Sequence, residues 1–249
     1  MKTANPYSRR DFMALSVAGP LVGWTPWFRP KEIALGDVRF RIVRNHRSTR
    51  RYVLLDGGQD AARQLLLHHM ESRRGTAYLI EGAAREVEIG GGKLDPNRMF
   101  SRAGAEASLR SLNPAWKDGQ VAAALTVLDS QREKLLDALF PPDRGLLIGI
   151  GSGASALSVT DRAASAEQCS LRQPDQSQSF YLCTDPADYQ ALAASPYNVV
   201  LERNVRARDD GSLERRAAAR QVRFLDIETR PGDTAAQRDM LAWADTHLL

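Results

Sequence analysis

The chain has 249 residues, of which 43% are hydrophobic and 26% charged, with only two cysteines. That is long enough for one domain with a sizeable core and far too poor in cysteine for a disulfide framework. The formal charge of +4 comes wholly from the first 31 residues, where Lys2, Arg9, Arg10, Arg29 and Lys31 oppose Asp11; the neutral remainder removes the electrostatic case for a nucleic-acid partner.

The amino terminus reads as an address. Ser8-Arg9-Arg10-Asp11-Phe12-Met13 follows the twin-arginine export pattern, and a moderately apolar run over residues 14–24 comes next. Gly19, Pro20 and Gly23 weaken that run as a helix, and it is too short to span a bilayer comfortably. The expectation is export to the periplasm, with residues 1–35 as signal and linker and 36–249 as a single α/β domain. Removal of the signal near Ala34 and its retention as a membrane anchor are both open. An oxidising compartment permits a Cys169–Cys183 disulfide, and two free buried thiols fit the sequence at least as well.

Alternating apolar and polar residues predict a half-buried strand over 38–43, and the apolar run 52–55 predicts a buried one. The loop Asp56-Gly57-Gly58-Gln59 follows, then a helix capped by Asp60 and running to residue 73, with Leu66 and Met70 on one face. Strands are expected at 76–80 and 85–89, helices at 106–112 and 119–139, and a buried strand at 145–150. The remainder reads as strands at 180–183, 198–202 and 222–227, interleaved with helices at 186–194, 212–220 and 234–248. Strands alternating with helices predict a three-layer α/β/α sandwich around a mixed, mostly parallel sheet. The arginine-rich stretches 47–51 and 203–208 read as solvated faces or loops.

Several short motifs compete for chemistry. His68-His69-Met70-Glu71 contains His-x-x-Glu, but in mid-helix this reads as a surface pattern. Gly149-Ile150-Gly151-Ser152-Gly153-Ala154 matches a dinucleotide turn only if a helix opens at or near Ser152, and residues 157–160 read as extended. Gly90-Gly91-Gly92-Lys93 lacks the spacing of a phosphate loop, and Ser152 has no recognisable histidine partner. Asp95-Pro96-Asn97-Arg98-Met99-Phe100 carries more weight. A guanidinium beside an amide suits two-pronged carboxylate recognition, while Asp95 before Pro96 is also turn chemistry, with Arg98 pairing Asp95.

This last segment resembles the D-x-N-R-x-F stretch of zinc carboxypeptidase-like hydrolases. The resemblance follows the order of elements through nearly all of the chain after residue 35. It implies that Asn97 and Arg98 descend from a pair that grips a substrate carboxylate, and that Glu228 stands where the family has its general base. The three zinc-ligand positions fall on Asp56, Gln59 and Gly151. Asp can ligate, a Gln amide is a poor donor and Gly has no side chain, so the family's zinc is not expected here. Without it a bound water keeps a pKa far above the value of about 7 that zinc confers. The expectation is an exported, metal-free pseudoenzyme that binds peptide or peptidoglycan-stem carboxylates. Two alternatives stay open: an active peptidase or amidase with a rearranged metal site using Asp56, Glu228 and His68 or His69, and a nucleotide-binding protein using residues 149–154.

Overall fold

The computed structural model describes residues 32–152, 158–164, 166–203 and 209–248. The expected twin-arginine segment, residues 153 and 154 of the glycine-rich motif and residues 204–208 of the second arginine stretch lie outside these. A compact unit begins at Lys31. In chain order its elements are β1 (Glu32–Leu35), β2 (Val38–Asn45), β3 (Arg51–Leu54), α1 (Asp60–Ser72), β4 (Gly75–Ile80), β5 (Val87–Ile89) and β6 (Gly92–Leu94). A 3-10 turn at Pro96–Arg98 leads into α2 (Arg102–Leu112), α3 (Asp118–Leu139), β7 (Leu146–Ser152), α4 (Val159–Ala163) and β8 (Gln168–Ser170). The last elements are β9 (Phe180–Cys183), α5 (Pro186–Leu192), β10 (Asn198–Leu201), α6 (Leu213–Ala219), β11 (Arg223–Thr229) and α7 (Thr234–His247).

Nine strands form one sheet in the order β1-β2-β4-β3-β7-β11-β9-β10-β8, and β5 with β6 makes a separate hairpin. Six of the nine run one way; β2, β9 and β10 run the other. The centre, β4-β3-β7-β11, is entirely parallel. Strand alternation sends Phe40, Val53, Tyr78, Leu147 and Phe224 to one face, against α2, α3 and α6. Tyr52, Leu54, Leu79, Ile148 and Leu225 go to the other, against α1, α5 and α7. This is the three-layer α/β/α sandwich that the alternation of elements predicts.

α3 shows why the outer layers hold. Val121, Leu125, Leu128, Leu135, Leu136 and Leu139 recur at helical spacing and are all buried. Each fully buried leucine contributes on the order of 2 kcal/mol, so Leu128→Ala should cost about 2–5 kcal/mol.

Short elements depart from expectation. β1 begins at Glu32, ahead of the boundary expected at residue 36, and Ala34 is paired in it with Arg39. Asp60 is not the cap of α1 but lies in its first turn, after Gln59. Residues 157–160 are expected as extended, but Val159 and Thr160 open α4, because Ser158 and Asp161 make a reciprocal capping box. β7 runs through Ser152 and the next described helix starts at Val159, so the helix opening that a dinucleotide turn needs is not found at Ser152. Cys169 faces Val200 and Cys183 faces Leu201, neighbouring positions on β10 that point to opposite sides of the sheet. Lying two strands apart, roughly 10 Å, the cysteines cannot bond, and both are free thiols. Among the described residues no helix is long and apolar enough to cross a membrane.

Candidate functional site

The carboxyl ends of β3, β7 and β11 lie side by side in the sheet centre. From β3 the chain crosses outward to β4, and it later re-enters on the opposite side at β7. Such reversals leave a crevice above the strand ends. Here the crevice is a cleft lined by Asp56, Gln59, Asn97, Arg98, Gly151 and Glu228, together with Arg85, Arg162, Glu214 and Asp226. All six positions singled out in the sequence therefore meet, although they come from four separate segments.

Asp56 and Gln59 are turned toward each other. Asp56 Oδ1 accepts from the Gly58 N–H at 2.8 Å, and Oδ2 accepts from Gln59 Nε2 at 3.0 Å. Both carboxylate oxygens thus organise the turn between β3 and α1, an Asx geometry suited to a short loop of glycines.

The 95–100 segment is fixed at almost every polar atom. Asp95 caps the 3-10 turn, accepting from Asn97 N at 2.9 Å and from Asn97 Nδ2 at 3.1 Å. Met99 and Phe100 are fully buried. Arg132 Nε donates to the Met99 carbonyl and Arg216 Nε to the Phe100 carbonyl, each at 2.8 Å. Arg98 does not pair Asp95, the alternative that turn chemistry suggested. Its Nη1 lies 2.5 Å from Asp210 Oδ2 and donates to the Asp210 carbonyl at 3.3 Å.

The floor is made by β11. Asp226 and Glu228 are two residues apart and share a face, paired across the strand boundary with Gly149 and Gly151 of β7. The glycines are there because the carboxyls need their space. A Cβ at Gly149 would lie 2.4 Å from Asp226 Oδ1, and one at Gly151 would lie 3.2 Å from both Glu228 oxygens. A side chain at Gly151, where the third zinc ligand would stand, would be crowded by Glu228.

The two carboxyls lie close enough on the strand for each to influence the other's proton. Glu228 Oε2 is sealed from solvent and meets no hydrogen-bond donor among the described residues. Burial, then Glu228 and Glu214, push Asp226 well above the usual carboxylate range. Burial and Glu214 raise Glu228 to about 7, against the opposing influence of Arg162, Asp226 and Arg85. Two close carboxyls in a deep cleft cannot both ionise cheaply, which is the physics behind the split.

Arg162 of α4 bridges this floor to a buried acid. It lies 3.3 Å from Glu202 and 3.3 Å from Glu214, and Arg215 also reaches Glu202. Burial disfavours the Arg162 charge, but Glu214, Glu202, Asp226 and Glu228 around it hold its proton on.

The donors present do not fit a zinc ion. Asp56 is spent on its turn, Gln59 is an amide, and Gly151 is roofed by Glu228 rather than supplying a ligand. Among the described residues no three His, Cys, Asp or Glu side chains are grouped to hold a metal. Neither helix histidine lines the cleft, which corrects their place in the rearranged-site alternative. His68 is exposed beside Glu71, while His69 is mostly buried against Asp245 and Tyr52.

Sequence reasoning missed Asp226, Glu214, Arg162 and Arg85 as cleft residues. Only Asp226 carried a signal, since two residues before Glu228 on a strand means the same face. No family model and no curated protein sequence matches the chain. Two crystal structures are similar, each described as that of a "putative metallopeptidase". One is from Shewanella denitrificans OS217, at 12% identity over 88% of this chain and 85% of that one, with a TM-score of 0.43. The other is from Shewanella amazonensis SB2B, at 13% identity over 87% and 86%, also with a TM-score of 0.43. Likeness at that level carries no argument about this site, which rests on the chain's own geometry.

Proposed function

We propose that this is an exported, zinc carboxypeptidase-like protein whose cleft binds a peptide or peptidoglycan-stem carboxylate without a metal and without hydrolysing it. The supporting observation is the convergence of Asp56, Gln59, Asn97, Arg98, Gly151 and Glu228 on one cleft whose donors are committed to one another. Arginines at the rim supply the charge that a carboxylate needs, and no group present activates water as zinc does.

The test is elemental analysis of the purified protein, followed by equilibrium capture from a degenerate pentapeptide pool with free carboxyl termini and from the same pool amidated. Zinc well below one atom per chain is expected, with retention of the free-acid pool and no shortened peptides. One tightly held zinc per chain, with chelator-sensitive release of C-terminal residues, would overturn the reading. A hydrolase with a rearranged site is favoured by one observation, the poised Glu228 beside Asp226. It requires peptide cleavage that disappears in Glu228→Gln.

A further inference from the structure

This inference rests on reading the cleft as a carboxylate site and concerns which residue receives the carboxylate. Among the described residues three guanidiniums line the cleft: Arg85, Arg98 and Arg162. Arg162 is engaged on both sides, by Glu202 and Glu214. Arg98 already holds a carboxylate, that of Asp210.

The Asp210 contact is built in. Asp210 Oδ1 accepts from Ser212 N at 3.0 Å, and Gly211 O accepts from Phe100 N at 3.0 Å. Gly211 sits at φ +81° against Gly104, where a Cβ would come within 2.3 Å of the Gly211 Cα. The 209–212 backbone is thereby pinned to α2 and to the turn that carries Arg98. For Asp210 to leave, a docked backbone would have to move with it.

Arg85 is different. It makes no hydrogen bond among the described residues, and its ionic neighbour Asp95 is 3.7 Å away, beyond direct bonding distance. Asn97 occupies Asp95 Oδ1, and the oxygen that faces Arg85 is Oδ2. The Arg85 side chain is 35% exposed, yet its loop is held in place. The Gly82 and Ala84 carbonyls pack on Gly57, where a Cβ would meet them at 2.9 and 2.7 Å. That contact sets the 82–85 loop directly over the Asp56 turn. A planar fork on an anchored loop, lining a cleft and making no hydrogen bond among the described residues, is arranged for two-pronged carboxylate recognition.

We infer that Arg85, and not Arg98, is the residue that takes the ligand carboxylate, while Arg98 serves to tie down the 209–212 segment through Asp210. Asn97 is likewise tied back into its own turn, with Nδ2 donating to Asp95 Oδ1.

The capture experiment with the free-acid and amidated pentapeptide pools is repeated on Arg85→Gln, Arg85→Lys and Arg98→Gln, with a thermal melt of each. Arg85→Gln should reduce free-acid retention at least tenfold at unchanged Tm, and Arg85→Lys should recover part of it by keeping charge without the fork. Arg98→Gln should lower Tm and change retention per folded molecule less than threefold. Retention unaffected by Arg85→Gln, or lost as fully in Arg98→Gln, overturns the inference. A wild type that retains neither pool counts instead against the underlying carboxylate reading.

Discussion

Asp245 and Glu228 are both carboxylates held deep in the protein, at opposite ends of the same parallel strands, and their surroundings push them in opposite directions. At the amino end of β3, Asp245 lies 2.6 Å from Arg50 and 2.8 Å from His69, and accepts from Tyr52 at 3.2 Å. Burial alone would raise it, but the hydrogen bond and charge of His69, with Arg50 and Tyr52, hold it below the usual carboxylate range. At the carboxyl end, Glu228 meets another carboxyl where Asp245 meets cations, and it rises to about 7. Burial is common to both. The partners decide which carboxylate stabilises the fold and which is left poised.

Removing the charge from the satisfied end should have the largest effect. Asp245→Asn strands Arg50 and His69 in a site that expects an anion, and should cost about 3–5 kcal/mol in urea unfolding. Peptide retention per folded molecule should not change. An Asp245→Asn protein as stable as wild type would erase the distinction between the two ends.

Gly149→Ala comes next. Its Cβ would fall 2.4 Å from Asp226 Oδ1 inside the sheet, so overpacking should cost about 1–3 kcal/mol. Gly151→Ala, with contacts at 3.2 Å, should cost less. Equal costs would mean that the carboxyls do not set the requirement for glycine.

Glu228→Gln should act in the opposite sense, as a stabilising change. The folded-state value, about 7, lies above the ordinary value of 4.5, so the native protein binds the extra proton between those limits. Stability from this group is therefore present below about pH 4.5 and is lost as pH rises through about 7. The groups facing Glu228 are Asp226 on its own strand, Glu214 on α6, Arg162 on α4 and Arg85 on the 82–85 loop. The full shift corresponds to about 3 kcal/mol, and solvent in the cleft reduces it to about 2 kcal/mol. Melts at pH 5 and pH 8 check this: Glu228→Gln should gain at pH 8 and gain little at pH 5. A uniform loss at both would show that Glu228 is satisfied like Asp245.

The smallest effect is expected at His68. It neighbours His69 in sequence but is 87% exposed, so His68→Ala should leave Tm unchanged where His69→Ala lowers it. The pair separates position on the helix from residue type.

Much of the fold was legible because it is written in local periods. The leucines of α3, the alternation in β2 and the apolar run of β7 each announce their element without reference to the rest of the chain. β1, β8 and α4 span four, three and five residues, too few to carry a period. The Asp95 to Phe100 segment and Glu228 were legible as chemistry, because residue types at fixed short spacing suffice to suggest a carboxylate grip or a base.

Who partners those residues was not legible. Arg98 finds Asp210 across 112 residues of sequence, and Arg50 finds Asp245 across 195. Nothing in either neighbourhood predicts the match. Local pattern was enough for the longer strands and helices, for the layered sandwich that their alternation implies and for the lack of imidazole at the expected ligand positions. Packing of distant segments is what sets Glu228 against Gly151, pairs Arg98 with Asp210 and brings Arg85 to the cleft. Local propensity acts within a few residues, whereas a side chain's charge is settled by whichever distant groups the packed fold brings within a few ångströms.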